Sequence, residues 1–312
     1  MHNELHAGRD GWLFLTGGSN QVLRFYTEPQ FFGLEQRAAW QEMLGEREAR
    51  ARACGARYCH VIAPEKLSVY PEFYDGELPF IGHAPSRCLA PGAGAGAPQV
   101  VDLRPRFAAL KQAGEQLYFK TDTHWTHAGA FAAADAVCRH FGLDIGSQFL
   151  ERPLAEAQLV LDLGGKLQPP VSERWTMRTG SGRLTRIAAS DMVVYKESHG
   201  AENEPGLHVG CSVAFRNATP TVRARLVLYG DSFSEYRDHL MMGALAETFE
   251  ETHFVWSSQL DWNHIAALRP DFVVSELAER FMNVVPSAEI DLRAFEQERL
   301  REYIATHTPP AA

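Results

Sequence analysis

Apolar and polar positions along the chain follow two periods. Over Leu34–Cys54, Trp40, Met43 and Leu44 recur at helical spacing among Glu, Arg and Gln, and Gly55 supplies a stop, which predicts a long amphipathic helix. Tyr58–Ala63 follows as a short, almost continuous apolar run closed by Pro64, the pattern of a buried strand. The alternation then repeats. A strand is predicted at Gln99–Leu103, a helix around Arg106–Ala113, an extended stretch at Gln116–Phe119, and a helix capped by Thr126 that buries Phe131, Val137, Cys138 and Phe141 before Gly142. Later come a strand at Arg225–Tyr229, a helix through Leu240–Phe249, a strand at His253–Trp256, a short helix after Asp261, a strand at Asp271–Ser275 and a terminal helix near Leu292–Ile304.

Helices alternating with buried strands imply an α/β fold whose mostly parallel sheet is flanked by helices. Between residues 150 and 222 the rhythm changes to shorter apolar runs, including Met192–Tyr195 and His208–Phe215, broken by Gly, Ser and Pro. This stretch is expected to be a β-rich insertion within a single domain spanning residues 1–312. Ala90–Pro98, with its alternating Gly, Ala and Pro, reads as a surface loop, because no helix opens after it to make a phosphate cradle.

Composition narrows the function classes. With 312 residues the chain can bury roughly three quarters of its surface, enough for a core without staples. Thirty basic against 39 acidic residues give a net charge of −9, and no Lys/Arg cluster forms the basic footprint that nucleic acid requires. The longest stretches of small or apolar residues, such as Ala128–Ala134, fall well short of the ~20 residues of a membrane span. The first residues lack the basic and apolar regions of a secretory signal, so the expectation is a cytoplasmic chain or one whose signal has been removed. Five cysteines, an odd number, leave at least one unpaired in a monomer and lean toward a reducing compartment. Cys54, Cys59 and His60 are close in sequence, but neighbours in a strand point to opposite faces, so no metal site is expected from them.

The sharpest chemical signal is Gly230-Asp231-Ser232-Phe233-Ser234, directly after the apolar run Leu226–Tyr229. A serine on a tight turn at the carboxyl end of a central strand presents its hydroxyl where ligands bind, and a following helix would aim N–H groups at a nearby oxyanion. A serine needs a base and an orienting carboxylate. Asp122-Thr123-His124-Trp125 offers both, since residues two apart in an extended segment share a side. Asp261-Trp262-Asn263-His264 offers a second pair, unless Asp261 only caps the helix that follows. A metal reading would use Asp122, His124 and His127, although nothing nearby completes such a set. On residue patterns alone the two dyads stay open. Weaker candidates for substrate contact are Trp125 as a sugar-stacking wall, against plain packing; Tyr236 one turn beyond Ser232; Asn217 as an oxyanion donor, against a turn residue; and Lys66 as an attractor of acidic substrate, against a solvated lysine.

Taken together, the Lys120–Ala130 stretch around Asp122-Thr123-His124-Trp125 and the Val227–Ser234 stretch resemble the SGNH-hydrolase-like family of polysaccharide O-acetyltransferases, typified by the periplasmic alginate acetylation proteins. Gly8–Phe14, Ala63–Glu72 and Arg269–Val274 match in the same order. The resemblance implies an SGNH-hydrolase-like, flavodoxin-like sheet and a triad of Ser232, His124 and Asp122, with Asp261 and His264 left out. It also implies acyl transfer, most simply of acetyl, to a polysaccharide or sugar hydroxyl, without a cofactor or metal but with an acetyl donor as substrate. A carbohydrate acetylesterase and a non-catalytic glycan-binding subunit are the alternatives on the same fold. Implied partners are a carbohydrate acceptor, an acyl donor and a membrane acyl-transfer protein or glycan-synthesis enzymes, with a periplasmic location if a signal has been removed.

Overall fold

The computed structural model describes residues 4–91, 99–235, 237, 239–287 and 289–307. Most of the loop Ala90–Pro98 therefore lies outside the described residues. The described residues form eleven strands: β1 (Leu5–Ala7), β2 (Leu13–Leu15), β3 (Arg57–Ala63), β4 (Val100–Val101), β5 (Leu154–Leu159), β6 (Glu173–Arg178), β7 (Leu184–Ala189), β8 (Ser212–Asn217), β9 (Val222–Gly230), β10 (Phe249–Trp256) and β11 (Phe272–Ala278). Seven of them form one sheet in the order β4-β3-β11-β9-β10-β8-β7, while β1–β2 and β5–β6 are separate two-stranded sheets. The pairs from β4 through β10 run parallel, and β8 and β7 add antiparallel strands at one edge. The architecture is the expected α/β fold with a mostly parallel sheet.

The parallel strands are apolar because helices cover them. In β9, Leu226, Val227, Leu228 and Tyr229 are completely buried. The helix Leu34–Ala53 packs on β3, and the helices His127–His140 and Met241–Thr248 pack against each other. The connection after β9 leads to β10 on one flank, and the next returns to β11 on the other. Chain leaving in two directions opens a crevice at the carboxyl end of β9, the usual ligand position in such sheets.

Several elements differ from the sequence pattern for local reasons. The helix expected at Arg106 begins at Arg104, since Pro105 sits in its first turn, where a missing N–H is tolerated. β10 starts at Phe249, before the expected His253, because Glu250 and Glu251 break the apolar run in the sequence while Glu251 is accommodated in the strand by Arg216 and Arg225. Met192–Tyr195 belongs to a helix, Asp191–His199, whose N-terminus is capped by the Ser190 side chain. Within 150–222, β5 and β6 form a hairpin apart from the main sheet, whereas β7 and β8 extend that sheet. All five cysteines are free thiols. Among the described residues no helix is long and apolar enough to cross a membrane.

Candidate active site

At the carboxyl end of β9 the backbone passes Gly230, where an added Cβ would lie 2.8 Å from Ser234 Oγ and 2.9 Å from Glu276 Oε2. Only glycine lets the turn approach β11 this closely. Asp231 then shapes the turn: its carboxylate accepts the N–H of Phe233 at 2.9 Å and the N–H of Ala278, at the end of β11, at 2.7 Å. Glu276, buried in β11, accepts the Asp231 N–H at 3.1 Å and the Ser234 hydroxyl at 2.8 Å. Burial, and then the Asp231 carboxylate beside it, push the Glu276 carboxyl well above its ordinary range and favour its neutral form. Ser232 is thus held half-buried on a turn tied to two strands.

The expected helix N-terminus is not at Ser232. The helix begins at Met241, and the Met242 N–H donates to Ser234 O at 3.4 Å. No acceptor among the described residues takes the Ser232 backbone N–H.

The second half of the site is the loop between Leu117 and Thr126, closed by an antiparallel bridge between Tyr118 and Trp125 and by the Thr126 N–H on Leu117 O at 2.8 Å. Asp122 and His124 meet by a different route from the extended strand foreseen above. They sit in a bend in which Asp122 Oδ1 accepts both the His124 backbone N–H, at 2.8 Å, and His124 Nδ1, at 2.7 Å. Because an ionised carboxylate only accepts, the proton resides on Nδ1 and leaves Nε2 to face Ser232 Oγ at 2.8 Å. Burial alone would lower the His124 pKa; Asp122 and Asp162 outweigh it, and the value is raised. The same imidazole holds the Asp122 carboxyl below its ordinary range despite its burial. A hydroxyl on an imidazole that a carboxylate orients is the constellation that activates serine for attack on an acyl carbon.

The loop is fixed from three sides. Lys66 donates to Phe119 O at 3.1 Å and Lys120 O at 2.8 Å. Glu173 of β6 accepts from Lys120 N, Thr121 N and Thr121 Oγ1 at 2.8–3.0 Å. Asp162, just past β5, accepts from Thr123 N at 2.8 Å and from its hydroxyl. Gly129 lets the following helix reach the loop, since a Cβ there would stand 2.3 Å from Leu117 O.

The weaker candidates fare differently. Trp125 is fully buried, donates to Phe233 O at 2.9 Å and meets the Phe233 ring edge-on, so it joins loop to turn and is no sugar wall. Lys66 is also buried, beneath the loop, where burial lowers its pKa to about 8; it does not reach out to an acidic substrate. Asn217 ends β8, which runs against β10, so it lies at the opposite end of the sheet from Ser232, bonded to Ala246 O and Glu247 O. Strand direction, invisible in the sequence, rules out the oxyanion role, and the Thr219 N–H on Asn217 Oδ1 at 2.9 Å makes it the turn residue. Tyr236 lies outside the described residues.

Asp261 caps the helix Trp262–Leu268 through the His264 N–H at 2.9 Å and accepts from Leu292 N at 3.0 Å, so its carboxylate serves backbone and does not orient the His264 ring. His127 points its Nδ1 at Thr176 O, 3.5 Å away, and not into the cluster. Among the described residues the one group with metal-compatible spacing is Asp122, His124 and Asp162, whose ligand atoms lie within 4.8 Å of one another. A cation there would have to displace the hydrogen bonds just described. Asp162, Glu173 and Glu276 carried no sequence signal beyond a lone acid in a loop or strand.

A cavity of about 300 Å³ adjoins Ser232, lined in part by Trp256, Gln259, Leu277 and Phe281. A second, about 400 Å³ and lined by Arg87, Arg104 and Lys111 among others, includes none of Asp122, His124 or Ser232.

A family model described as the SGNH hydrolase-like domain of the acetyltransferase AlgX matches residues 5–170, just over half of the chain. No curated protein matches in sequence. The O-acetyltransferase domain of Pseudomonas putida AlgJ superposes with a TM-score of 0.55 at 19% identity, over 95% of this chain and 99% of its own. PatB1 of Bacillus cereus gives 0.60 at 14% identity, over 90% and 99%. A DHHW family protein from Eubacterium siraeum gives 0.55 at 13%, over 79% and 86%. At these identities the likeness is one of fold.

Proposed function

Since the chain belongs to the AlgX family of SGNH hydrolase-like acetyltransferases, we propose that it is a serine-dependent O-acyltransferase that moves an acetyl group to a carbohydrate hydroxyl. One observation carries this reading: Ser232 Oγ lies 2.8 Å from His124 Nε2 while Asp122 holds Nδ1 at 2.7 Å.

In the first half-reaction Ser232 Oγ attacks the carbonyl carbon of an ester or thioester donor and passes its proton to His124 Nε2. The carbon-to-leaving-group bond breaks, and the leaving atom takes that proton. In the second, the acceptor hydroxyl gives its proton to Nε2 and its oxygen bonds the acyl carbon. The bond to Oγ breaks and Oγ recovers the proton. Asp122 fixes the tautomer and stabilises the imidazolium, and the Ser232 N–H, with no acceptor of its own among the described residues, suits the oxyanion.

The test is product analysis with an acetyl donor and carbohydrate oligomers together. Acetylated sugar that disappears in Ser232→Ala supports the proposal. Free acetate alone identifies an esterase, and no turnover with an intact fold identifies a binding subunit.

A further inference from the structure

The cavity beside Ser232 has a position and a lining that go beyond acetyl transfer. Its base is the turn itself, Gly230 to Ser232; the apolar part of its wall is Trp256 at the end of β10, Leu277 in β11 and Phe281 just after it, and Ser257, Ser258 and Gln259 form a polar part. Trp256 is stacked on His208 with centroids 4.5 Å apart and planes 11° apart, so one wall is braced from behind. Val209 and Val284, 44% and 63% exposed, stand at its mouth. His124 is not part of the lining and reaches Ser232 from the loop side.

Three groups surround an acyl carbon under attack: the oxyanion, the leaving or entering oxygen, and the acyl chain. The leaving and entering oxygens both exchange a proton with His124 Nε2, so they must lie on the imidazole side. The chain needs other space, and the cavity supplies it. A methyl group is close in size to one water, ~30 Å³, a small part of the 300 Å³ present. Apolar walls also reward each added methylene.

We propose that this cavity is an acyl pocket and that the protein accepts linear acyl groups of about four to eight carbons at least as readily as acetyl. The proposal rests on Ser232 as the acyl-carrying residue. The step is the first half-reaction above: the bond from Oγ to the acyl carbon forms, the bond from that carbon to the leaving oxygen breaks, and the proton passes through Nε2 to that oxygen.

The experiment uses the full chain and 4-nitrophenyl acetate, butyrate, hexanoate and octanoate, following nitrophenolate release and the mass of the protein adduct. The acylation kcat/KM should rise about four-fold per methylene from acetate to hexanoate. Val284→Trp should lower the hexanoate-to-acetate ratio at least ten-fold, and Val209→Trp provides a second obstruction of the mouth. An adduct from acetate but a ten-fold or greater drop at butyrate overturns the pocket and leaves the nucleophile standing, as does a ratio unmoved by both tryptophans. No adduct from any ester overturns Ser232 itself, and the pocket with it.

Discussion

Trp125 Nε1 donates to Phe233 O at 2.9 Å, beside the contact of His124 with Ser232, so two adjacent pairs 108 residues apart in sequence fasten the histidine loop onto the serine turn. The first pair carries no chemistry, yet it sets the approach of the second. Trp125→Phe keeps the ring packed on Phe233 and leaves a buried carbonyl without its donor. The loss should be about 1–3 kcal/mol of stability, read as a lower urea midpoint at unchanged m, together with a lower kcat on an aryl acetate. An unchanged midpoint would show that the bond contributes nothing to holding the loop.

The pH profile follows from the charges facing the imidazole. His124 must be neutral to accept the serine proton, and its pKa is raised above 6.5 by Asp122 and Asp162 despite burial. Activity should therefore rise with pH along a limb centred above 6.5. In Asp162→Asn one of the two anions is gone and the limb should move to lower pH, with Asp122 still orienting the ring. Asp122→Asn should cost about 10⁴ in kcat, because Nδ1 then loses its obligate acceptor. A limb that does not move in Asp162→Asn would mean that this carboxylate does not act on the histidine.

Lys66 is the buried cation under the loop, and its pKa is depressed to about 8 by burial. Between that value and its ordinary 10.5 the unfolded chain binds the extra proton, so this residue makes stability rise with pH across the window. Lys66→Met removes both the two carbonyl tethers and that pH dependence. We expect kcat to fall by about ten-fold or more as the loop loosens, and the stability increment between pH 8 and 10.5 to disappear. Stability data that superpose on the wild type across this range would contradict the assignment.

How far the sequence could be read depends on the range of the interaction. Runs such as Leu226–Tyr229 announce buried strands because neighbours in the chain share one environment. The serine turn and the histidine loop were legible for the same reason, as short motifs whose parts act locally. Substrate roles for Trp125, Lys66 and Asn217 fail because their partners are distant: Phe233, the Phe119 and Lys120 carbonyls, and the helix end at Glu247. Asp162 and Glu276 were missed outright. Each is a single acid whose meaning comes only when the β5–β6 hairpin or β11 brings it to the site.

The most direct test of the account is labelling with a serine-directed phosphonate, read by intact mass and peptide mapping in the wild type, Ser232→Ala and His124→Ala. The account predicts one phosphonyl group on Ser232 in the wild type, none in Ser232→Ala, and labelling slowed at least about 100-fold in His124→Ala. A folded wild type that carries the label elsewhere or not at all, or a His124→Ala variant labelled at the wild-type rate, would contradict it.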